Sequence, residues 1–319
     1  YWFVSGYLET SMSEEKPLIV VVGDALVDLL TFVPMLPRRG GTVTSPPSER
    51  HPGGTGANVA AGLAALGEHV RFVGALGDDD NGCFVLDDLS ARGIDTGGVV
   101  LMPGVATGVV IALIEPDGQR TFIAAAVSSS YTAVTDDLLQ FVDREQPAAI
   151  YISGVLMRSE PALSMLPRFA ARWRGRAPLY FGTCLTQLGP RQPQATLDAL
   201  RAVAVCSDVV LTTGEEAALL GITPVEEQLF VLKRGVRGAA LTGAKGEIAS
   251  VPGHRVEVVD LLGAGDMFNA AFISARTRGL PVGAALAFAN AAAALSIQHH
   301  GARAMPPWED AARLAGLHP

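Results

Sequence analysis

The chain has 319 residues, of which 49% are hydrophobic and 18% charged, and it contains 35 glycines and 20 prolines. These proportions are typical of a turn-rich globular protein and exclude the fibrous and intrinsically disordered classes. The formal net charge of −8 argues against broad binding to nucleic acid or to an anionic membrane, because both need a basic protein surface.

The first 16 residues do not have the pattern of a signal peptide or of a domain. Residues 1–16 lack an initiating methionine, a basic segment and a long apolar core, so we interpret them as a leader or a disordered N-terminus. With Met12 as the native start, the first 11 residues would be the leader. Cys83, Cys184 and Cys206 lie far apart without a C-x-x-C pair, which predicts neither disulfides nor a zinc site and favours a cytoplasmic location.

An apolar, β-branched run opens the fold. The segment "LIVVVG" at 18–23 is typical of a central parallel strand that is buried on both faces. Residues 97–126 contain apolar runs around a Pro-Asp-Gly turn, which predicts a β-hairpin or a short meander. Together with the segment at about 31–52, these strands are expected to form a small sheet that stands off the main body.

Strands and helices alternate along the rest of the chain, which predicts an α/β fold with a doubly wound, mostly parallel sheet. Helices are predicted at 56–67, 81–92, 136–144, 160–173, 194–203, 215–220, 265–278, 282–297 and about 308–316, and strands at 70–77, 148–154, 178–181, 208–213, 228–235 and 255–260. The helix at 282–297 is the most membrane-like stretch, but its 16 residues fall short of the roughly 20 apolar residues of a membrane span.

The segment "DLLGAGDMF" at 260–268 carries the most informative glycine motif. Its glycines precede an apolar helix, so backbone amides and the positive end of the helix dipole are placed to hold an anion such as phosphate. The segment is not a Walker A loop, and neither it nor "GGTGAN" at 53–58 completes the dinucleotide pattern G-x-G-x-x-G.

A carboxylate, Asp266, inside an anion cradle has two interpretations. It caps the helix, a position that aspartate favours, or it accepts a proton from a hydroxyl that attacks a phosphoryl group, while Gly263, Ala264 and Gly265 donate hydrogen bonds to the phosphate. Asp28 follows the first strand, at the sheet edge where ligands bind. Gly54 and Asn58 offer hydrogen-bonding groups of the kind that a polyol requires. Taken alone, an aspartate at a strand end is more often a turn or a cap, and a double glycine is more often a turn.

Read in order, these motifs resemble the ribokinase-like, or phosphofructokinase B, family of carbohydrate kinases. The resemblance rests on "GDALVD", "GGTGANVAAGLAALG", "GALGDD", "TTGEEAALLG", "LKRGVRGAAL", "DLLGAGDMFNAAF" and "FANAAAALSIQHHGA". It extends from residue 18 to about 307, and the two glycine motifs about 200 residues apart make it specific. It implies a three-layer α/β/α domain over residues 17–319, with a small β-sheet lid over the sugar site.

The resemblance also implies roles for individual residues. Asp266 would be the base and Gly263, Ala264 and Gly265 the anion hole; Asp28, Gly54 and Asn58 would bind the sugar; Thr213, Glu216, Lys233, Gly235 and Asn290 would lie at the nucleotide. Glu216 would place magnesium, through water, and Asp260 and Gly301 fall where family members often hold potassium. The alternatives are a solvated first-turn glutamate for Glu216 and a satisfied polar group in a helix for Asn290.

The chain also departs from the family pattern. Thr213 stands where the N-x-x-E motif begins with Asn, and "FGTC" at 181–184 replaces F-D-P-N. Lys233 and Arg234 replace a Thr-Leu pair before Gly235, and either phosphate contact or a solvated basic pair accounts for them. The link between Leu220 and Gln228 is shorter than in many members.

The resemblance implies an ATP- and magnesium-dependent kinase that phosphorylates a hydroxymethyl group of a small sugar of the ribose, fructose or keto-deoxy sugar acid type, and a homodimer without nucleic-acid or membrane partners. Three alternatives stay open: a nucleoside kinase of the same family, a non-catalytic sugar or nucleoside binder, and a dinucleotide-dependent oxidoreductase. Arg120, in "PDGQRTF", would face an acidic or phosphorylated substrate, or would simply be solvated in its hairpin.

Overall fold

The computed structural model describes residues 16–124, 128–132, 134–158, 160–189 and 191–317. The predicted leader therefore lies almost wholly outside the described residues.

Thirteen strands within the described residues form two sheets. They are β1 (Leu18–Val22), β2 (Leu26–Phe32), β3 (Glu49–Gly53), β4 (His69–Gly77), β5 (Asp95–Met102), β6 (Gly108–Ile114), β7 (Arg120–Ala124), β8 (Ala149–Ser153), β9 (Leu179–Gly182), β10 (Val209–Thr213), β11 (Leu229–Lys233), β12 (Ala239–Gly243) and β13 (Gly246–Val251). The large sheet has the order β13-β12-β11-β10-β9-β8-β1-β4-β5, and all its neighbours from β11 to β5 run parallel. Within this sheet, β12 and β13 pair in the antiparallel direction.

Ten α-helices connect these strands in the described part of the chain. They are α1 (Thr55–Ala65), α2 (Asp80–Ala91), α3 (Ser129–Thr132), α4 (Asp136–Asp143), α5 (Ala162–Trp173), α6 (Gln194–Cys206), α7 (Gly214–Leu220), α8 (Ala264–Thr277), α9 (Val282–Ser296) and α10 (Trp308–Leu314). None of the helices that the structure describes is both long and apolar enough to cross a membrane.

The first strand shows how the sequence produces three layers. Ile19 and Val21 pack into the cluster that includes α1, α8 and α9, whereas Val20 and Val22 pack into the cluster that includes α4, α5 and α6. All four side chains are fully buried, because successive side chains of a strand point to opposite faces and helices cover both faces here. The predicted doubly wound, three-layer α/β/α fold is confirmed.

The small sheet, which corresponds to the predicted lid and is called the lid below, has the order β3-β2-β6-β7. Its predicted hairpin turn lies at Pro116–Gly118 between β6 and β7, where the Gly118 amide donates to the Glu115 carbonyl. Two parts of the predicted lid lie elsewhere. Residues 97–102 belong to β5, which pairs with β4 at the edge of the large sheet, and residues 33–48 contain no strand.

Candidate active site

A cleft of about 670 Å³ lies between the lid and the large sheet. The lid contributes Leu26, Asp28, Val110, Arg120, Phe122 and Ala124, and the body contributes Asp24, Gly54, Thr55, Asn58, Arg158 and the whole turn from Leu261 to Asp266. The β1–β2 connection and the α8 turn therefore meet in one cleft, although more than 200 residues separate them in the sequence.

The glycine turn forms the start of α8. Gly263 is the residue before the helix and adopts a left-handed conformation with φ 75°, and the helix itself begins at Ala264. The first amides of a helix have no partner within it. The residues that carry them here, Ala264, Gly265 and Asp266, line the cleft, and the Ala264 amide makes one long hydrogen bond, of 3.4 Å, to the Leu261 carbonyl in the turn. A Cβ at Gly263 would lie 2.2 Å from the Ala302 carbonyl oxygen, so only glycine fits this position.

Asp266 is not the helix cap, because it is the third residue of α8 and no side chain caps the helix. Its Oδ2 instead accepts a hydrogen bond from Asn58 Nδ2 at 2.9 Å. Removal from bulk water raises the pKa of Asp266 to about 7, while the Asn58 hydrogen bond and the positive charge of Lys233 oppose that rise. A carboxylate with this pKa is well matched to accept a proton near neutral pH.

Asp28 and Gly54 lie at the lid end of the same cleft. Asp28 lies within β2 of the small sheet, opposite His51 of β3 in the strand register, and not directly after the first strand as the sequence suggested. Its carboxylate occupies the place that a side chain at Gly53 would take. Burial raises the pKa of Asp28 to about 6, against the charge of Arg303. Gly54 is the residue that precedes α1, and it lines the same cleft as Asp28 and Asn58.

Asp24 is a site residue that the sequence analysis missed. It is almost completely buried, and its carboxylate accepts hydrogen bonds from the amides of Thr55 and Gly56 at 2.9 and 3.0 Å and from Ser153 Oγ at 2.9 Å. Because Gly54 has no side chain to cap α1, Asp24 satisfies the first amides of that helix. The segment "GDALVD" contains two aspartates, and only the structure separates the capping Asp24 from the cleft-facing Asp28.

Glu216 is buried within a set of hydroxyl groups and is not a solvated first-turn glutamate. Thr183 Oγ1 donates to its Oε2 at 2.8 Å, the Thr186 amide donates to its Oε1 at 3.0 Å, and Thr213 forms a reciprocal capping box with it. These hydrogen bonds hold the pKa of Glu216 below its usual range even though burial alone would raise it. Thr213, in the place of the expected Asn, is therefore the N-cap of α7.

The other predicted nucleotide-binding residues lie outside the cleft lining. Lys233 points inwards and donates from Nζ to Asn269 Oδ1 at 3.1 Å, whereas Arg234 pairs with Glu247 on the surface, so the two do not form a solvated basic pair. Gly235 begins a short 3₁₀ turn after β11. Asn290 donates to the Pro252 carbonyl at 2.9 Å, which satisfies its amide within α9.

Asp260 links the glycine turn to the lid. Its Oδ1 accepts hydrogen bonds from Arg120 Nη2 at 2.5 Å and from the Leu262 amide at 2.7 Å, and its Oδ2 accepts one from the Gly301 amide at 3.0 Å. Although burial would raise it, the Gly301 and Leu262 hydrogen bonds and the Arg120 charge keep the pKa of Asp260 below its usual range. Arg120 is thus a partly buried residue of the small sheet in an ion pair and not a solvated one.

Two further arginines at the site carried no signal in the sequence. Arg158 lines the cleft, with its guanidinium 4.9 Å from the centre of the Tyr131 ring. Arg303 lies below the cleft and contacts Asn58. Isolated arginines in loops are usually solvated, and no local pattern distinguishes these two.

Comparison with known proteins gives one consistent family. The model described as "pfkB family carbohydrate kinase" matches residues 16–309. A ribokinase from Bacillus subtilis is 30% identical over 304 residues, which cover 91% of this chain and 96% of the relative.

Solved structures agree with the fold. An uncharacterised sugar kinase from Pyrococcus horikoshii in complex with ATP superimposes with a TM-score of 0.81 and 24% identity, covering 94% of this chain and 99% of the other. A ribokinase from Arabidopsis thaliana complexed with ribose and ATP gives a TM-score of 0.73 and 26% identity, covering 94% of this chain and 98% of the other.

Proposed function

The chain belongs to the pfkB family of carbohydrate kinases, and from that membership we propose that it transfers the γ-phosphoryl group of ATP to a hydroxymethyl group of a small sugar. The observation that carries the proposal is the position of Asp266. Its carboxylate lines the lid-covered cleft beside the amides of the Gly263–Asp266 turn. This arrangement provides a base and an anion hole within one helical turn.

The proposed reaction uses the two parts of this turn together. The acceptor oxygen forms a bond to the γ-phosphorus, the bond from that phosphorus to the β-phosphate oxygen breaks, and the hydroxyl proton moves to Asp266 Oδ1 or Oδ2. The amides of Ala264 and Gly265 donate to the transferring phosphoryl oxygens, on which negative charge is spread in the transition state. Asp28, Gly54 and Asn58 orient the acceptor.

The lid has a chemical task in this scheme. Water competes with the sugar hydroxyl as an acceptor, so the closed lid protects ATP from hydrolysis. Phe122 and Val110 of the lid line the cleft and provide an apolar cover over the reacting groups. This cover supports transfer to a bound acceptor in preference to hydrolysis.

Magnesium is proposed to neutralise the phosphate charge. The described residues contain no cluster of three or more acidic, histidine or cysteine side chains that would hold a metal ion by itself. Glu216 accepts hydrogen bonds at both carboxylate oxygens, so its donor set fits a contact through water and not direct coordination. We propose that Glu216 would hold magnesium through water, and that the metal would shield the phosphate charge of the nucleotide.

The potassium prediction fits the structure less well. The carboxylate of Asp260 already has a guanidinium partner, and Gly301 presents its amide N–H to Asp260 and not an oxygen. We therefore expect initial rates in potassium and in tetramethylammonium, at equal ionic strength, to agree. A rate several-fold higher in potassium would show that the cation acts here and that Arg120 does not replace it.

A panel of acceptors tests the proposed function. ADP release is measured in a coupled assay with ribose, fructose, a keto-deoxy sugar acid and a nucleoside, each against a control without acceptor. Release that depends on one acceptor supports the kinase and identifies the substrate class. Absence of acceptor-dependent release across the panel would favour the non-catalytic sugar or nucleoside binder. The oxidoreductase alternative is set aside because the kinase family model spans residues 16–309.

The homodimer and the cytoplasmic location stay predictions. Exposed apolar side chains of the lid that do not line the cleft, Phe32 and Ile123, support the homodimer, since a second copy would bury them.

A further inference from the structure

Arg303 is a buried cation next to the candidate active site, behind the residues that line the cleft. It lies in the loop between α9 and α10, and only 6% of its side chain is exposed. Burial lowers the pKa of Arg303 to about 10, against the charge of Asp88, so the guanidinium stays positive at neutral pH. A buried charge is costly unless it is paired and hydrogen-bonded, so the partners of the guanidinium are what stabilise it in this position.

The guanidinium connects three separate elements. It forms an ion pair with Asp88 of α2, donates from Nη2 to the Gly53 carbonyl at the end of β3 at 3.2 Å, and donates from Nε to Asn58 Oδ1 of α1 at 2.9 Å. Gly53 is also the residue against which the Asp28 carboxylate lies. Arg303 therefore touches both sides of the acceptor site without lining the cleft itself.

The contact with Asn58 has a directional consequence. A side-chain amide has one accepting end and one donating end. Because the guanidinium can only donate, it requires the oxygen of Asn58, and the NH₂ group is left to face Asp266 at 2.9 Å. Rotation of the amide by half a turn would place two donors against each other at Arg303 and two acceptors against each other at Asp266.

We propose that Arg303 is a positioning residue that fixes the orientation of the Asn58 amide, so that Asn58 donates to the ionised Asp266 and keeps it ready to accept a proton. This inference rests on the proposed function, in which Asp266 is the base. Arg303 acts through Asn58 and does not contact the reactants. No motif of the sequence assigns it this role.

Several charged groups shift the pKa values of the two aspartates. Lys233 from β11, Asp24 from the loop after β1 and Asp28 from β2 act on the pKa of Asp266. Arg303, Asp24 and His51 act on the pKa of Asp28. Arg303 is itself influenced by Asp88, Arg92 and Asp28. Arg303 thus acts on Asp28 by charge and on Asp266 through a hydrogen bond, and these two effects can be separated.

The experiment uses Arg303→Met and Arg303→Lys in the full chain. Aspartate carboxyl carbons are labelled with ¹³C and titrated by NMR, with Asp266→Asn and Asp28→Asn used to assign the two signals. Methionine removes both charge and hydrogen bond, so both aspartates are expected to titrate at higher pH. Lysine keeps the charge beside Asp88 but cannot reproduce the fork that reaches Asn58. The titration midpoint of Asp266 is therefore expected to rise by roughly one pH unit, while that of Asp28 stays near its original value.

Arg313→Met provides the matched control, because Arg313 is an exposed arginine, 78% of its side chain being accessible, in α10 of the same region. It is expected to shift neither signal. Thermal unfolding of all variants shows whether the fold is intact. If Arg303→Met does not fold, Arg303→Lys still tests the inference through the separate behaviour of the two aspartates.

A kinetic arm tests the coupling through Asn58. The acidic limb of kcat/KM against pH is measured for Arg303→Lys, Asn58→Leu and the double variant, once an acceptor is known. If Arg303 acts through Asn58, the double variant shifts this limb no further than Asn58→Leu alone.

The outcomes separate this inference from the proposed function. An unshifted Asp266 signal in folded Arg303→Lys and Arg303→Met overturns the positioning role, whatever the enzyme phosphorylates. The expected NMR shifts in a protein that releases no ADP with any acceptor would keep the Asp266–Asn58–Arg303 connection and reject the kinase.

Discussion

Replacing Asp266 with asparagine is expected to lower kcat by about 10²- to 10⁴-fold, the usual contribution of a general base. Asparagine preserves the shape of the side chain and its contact with Asn58, but it cannot accept the proton that the acceptor hydroxyl loses. ATP affinity is expected to change little, because the anion hole is made of backbone amides at Ala264 and Gly265. Steady-state kinetics and calorimetric titration of ATP measure the two quantities.

The stability of this variant provides its control. The pKa of Asp266 is about 7 in the folded protein against 3.8 as its ordinary value, so the folded state binds the proton more tightly. The stability that this group contributes is present at low pH and is lost as the pH rises from about 4 to about 7. Above pH 7, Asp266→Asn should therefore unfold at the same or a higher temperature than the parent protein. Near-normal turnover in a folded variant would refute the base assignment.

Replacing Gly263 with alanine is expected to lower kcat by about 10²- to 10³-fold, the effect of losing one donor of an anion hole. The added Cβ would lie 2.2 Å from the Ala302 carbonyl oxygen, in a left-handed backbone with φ 75°. The turn must move to relieve this contact, and the amides of Ala264 and Gly265 move with it. Because the same helix carries Asp266, the base is displaced as well.

Gly279→Ala separates this displacement from simple backbone strain. Gly279 lies just beyond the other end of α8 and has φ 83°, and a Cβ added there would meet no other part of the described chain within 4 Å. The substitution should cost stability comparable to the conformational strain at Gly263 while leaving kcat unchanged. Equal kcat values for the two alanine variants would show that the Gly263 turn does not form the anion hole.

Most of the fold follows from local patterns in the sequence. Continuous apolar runs such as 18–23 mark the buried parallel strands, and the helix predicted at 81–92 is observed at Asp80–Ala91. Such elements are predictable because the periodicity of buried residues is a property of each segment alone. The glycine turn and Asp28, Gly54 and Asn58 also line one cleft. Asp28 lies on β2 and Gly54 follows β3, so the small sheet places them there and not the carboxyl ends of the parallel strands.

Features that depend on distant segments were not predictable. Residues 255–260 alternate like a strand, but the structure has no strand there, and the amides of Val259 and Asp260 donate to Ile297 at the end of α9. Val258 and Val259 are exposed, so no neighbouring strand or helix buries the apolar side chains of this segment. The same limit applies to Arg303 and Arg120, whose partners are 245 and 140 residues away in the sequence.

The ion pair between Arg120 and Asp260 has a consequence for the timing of the catalytic cycle. In the proposed reaction, reactants would enter and products would leave when the lid separates from the body, and that separation would pull the Arg120 guanidinium away from a carboxylate that is only 8% exposed. Each round of exchange would therefore include the rehydration of two charges. We therefore expect the residence time of the phosphorylated product to depend partly on this pair.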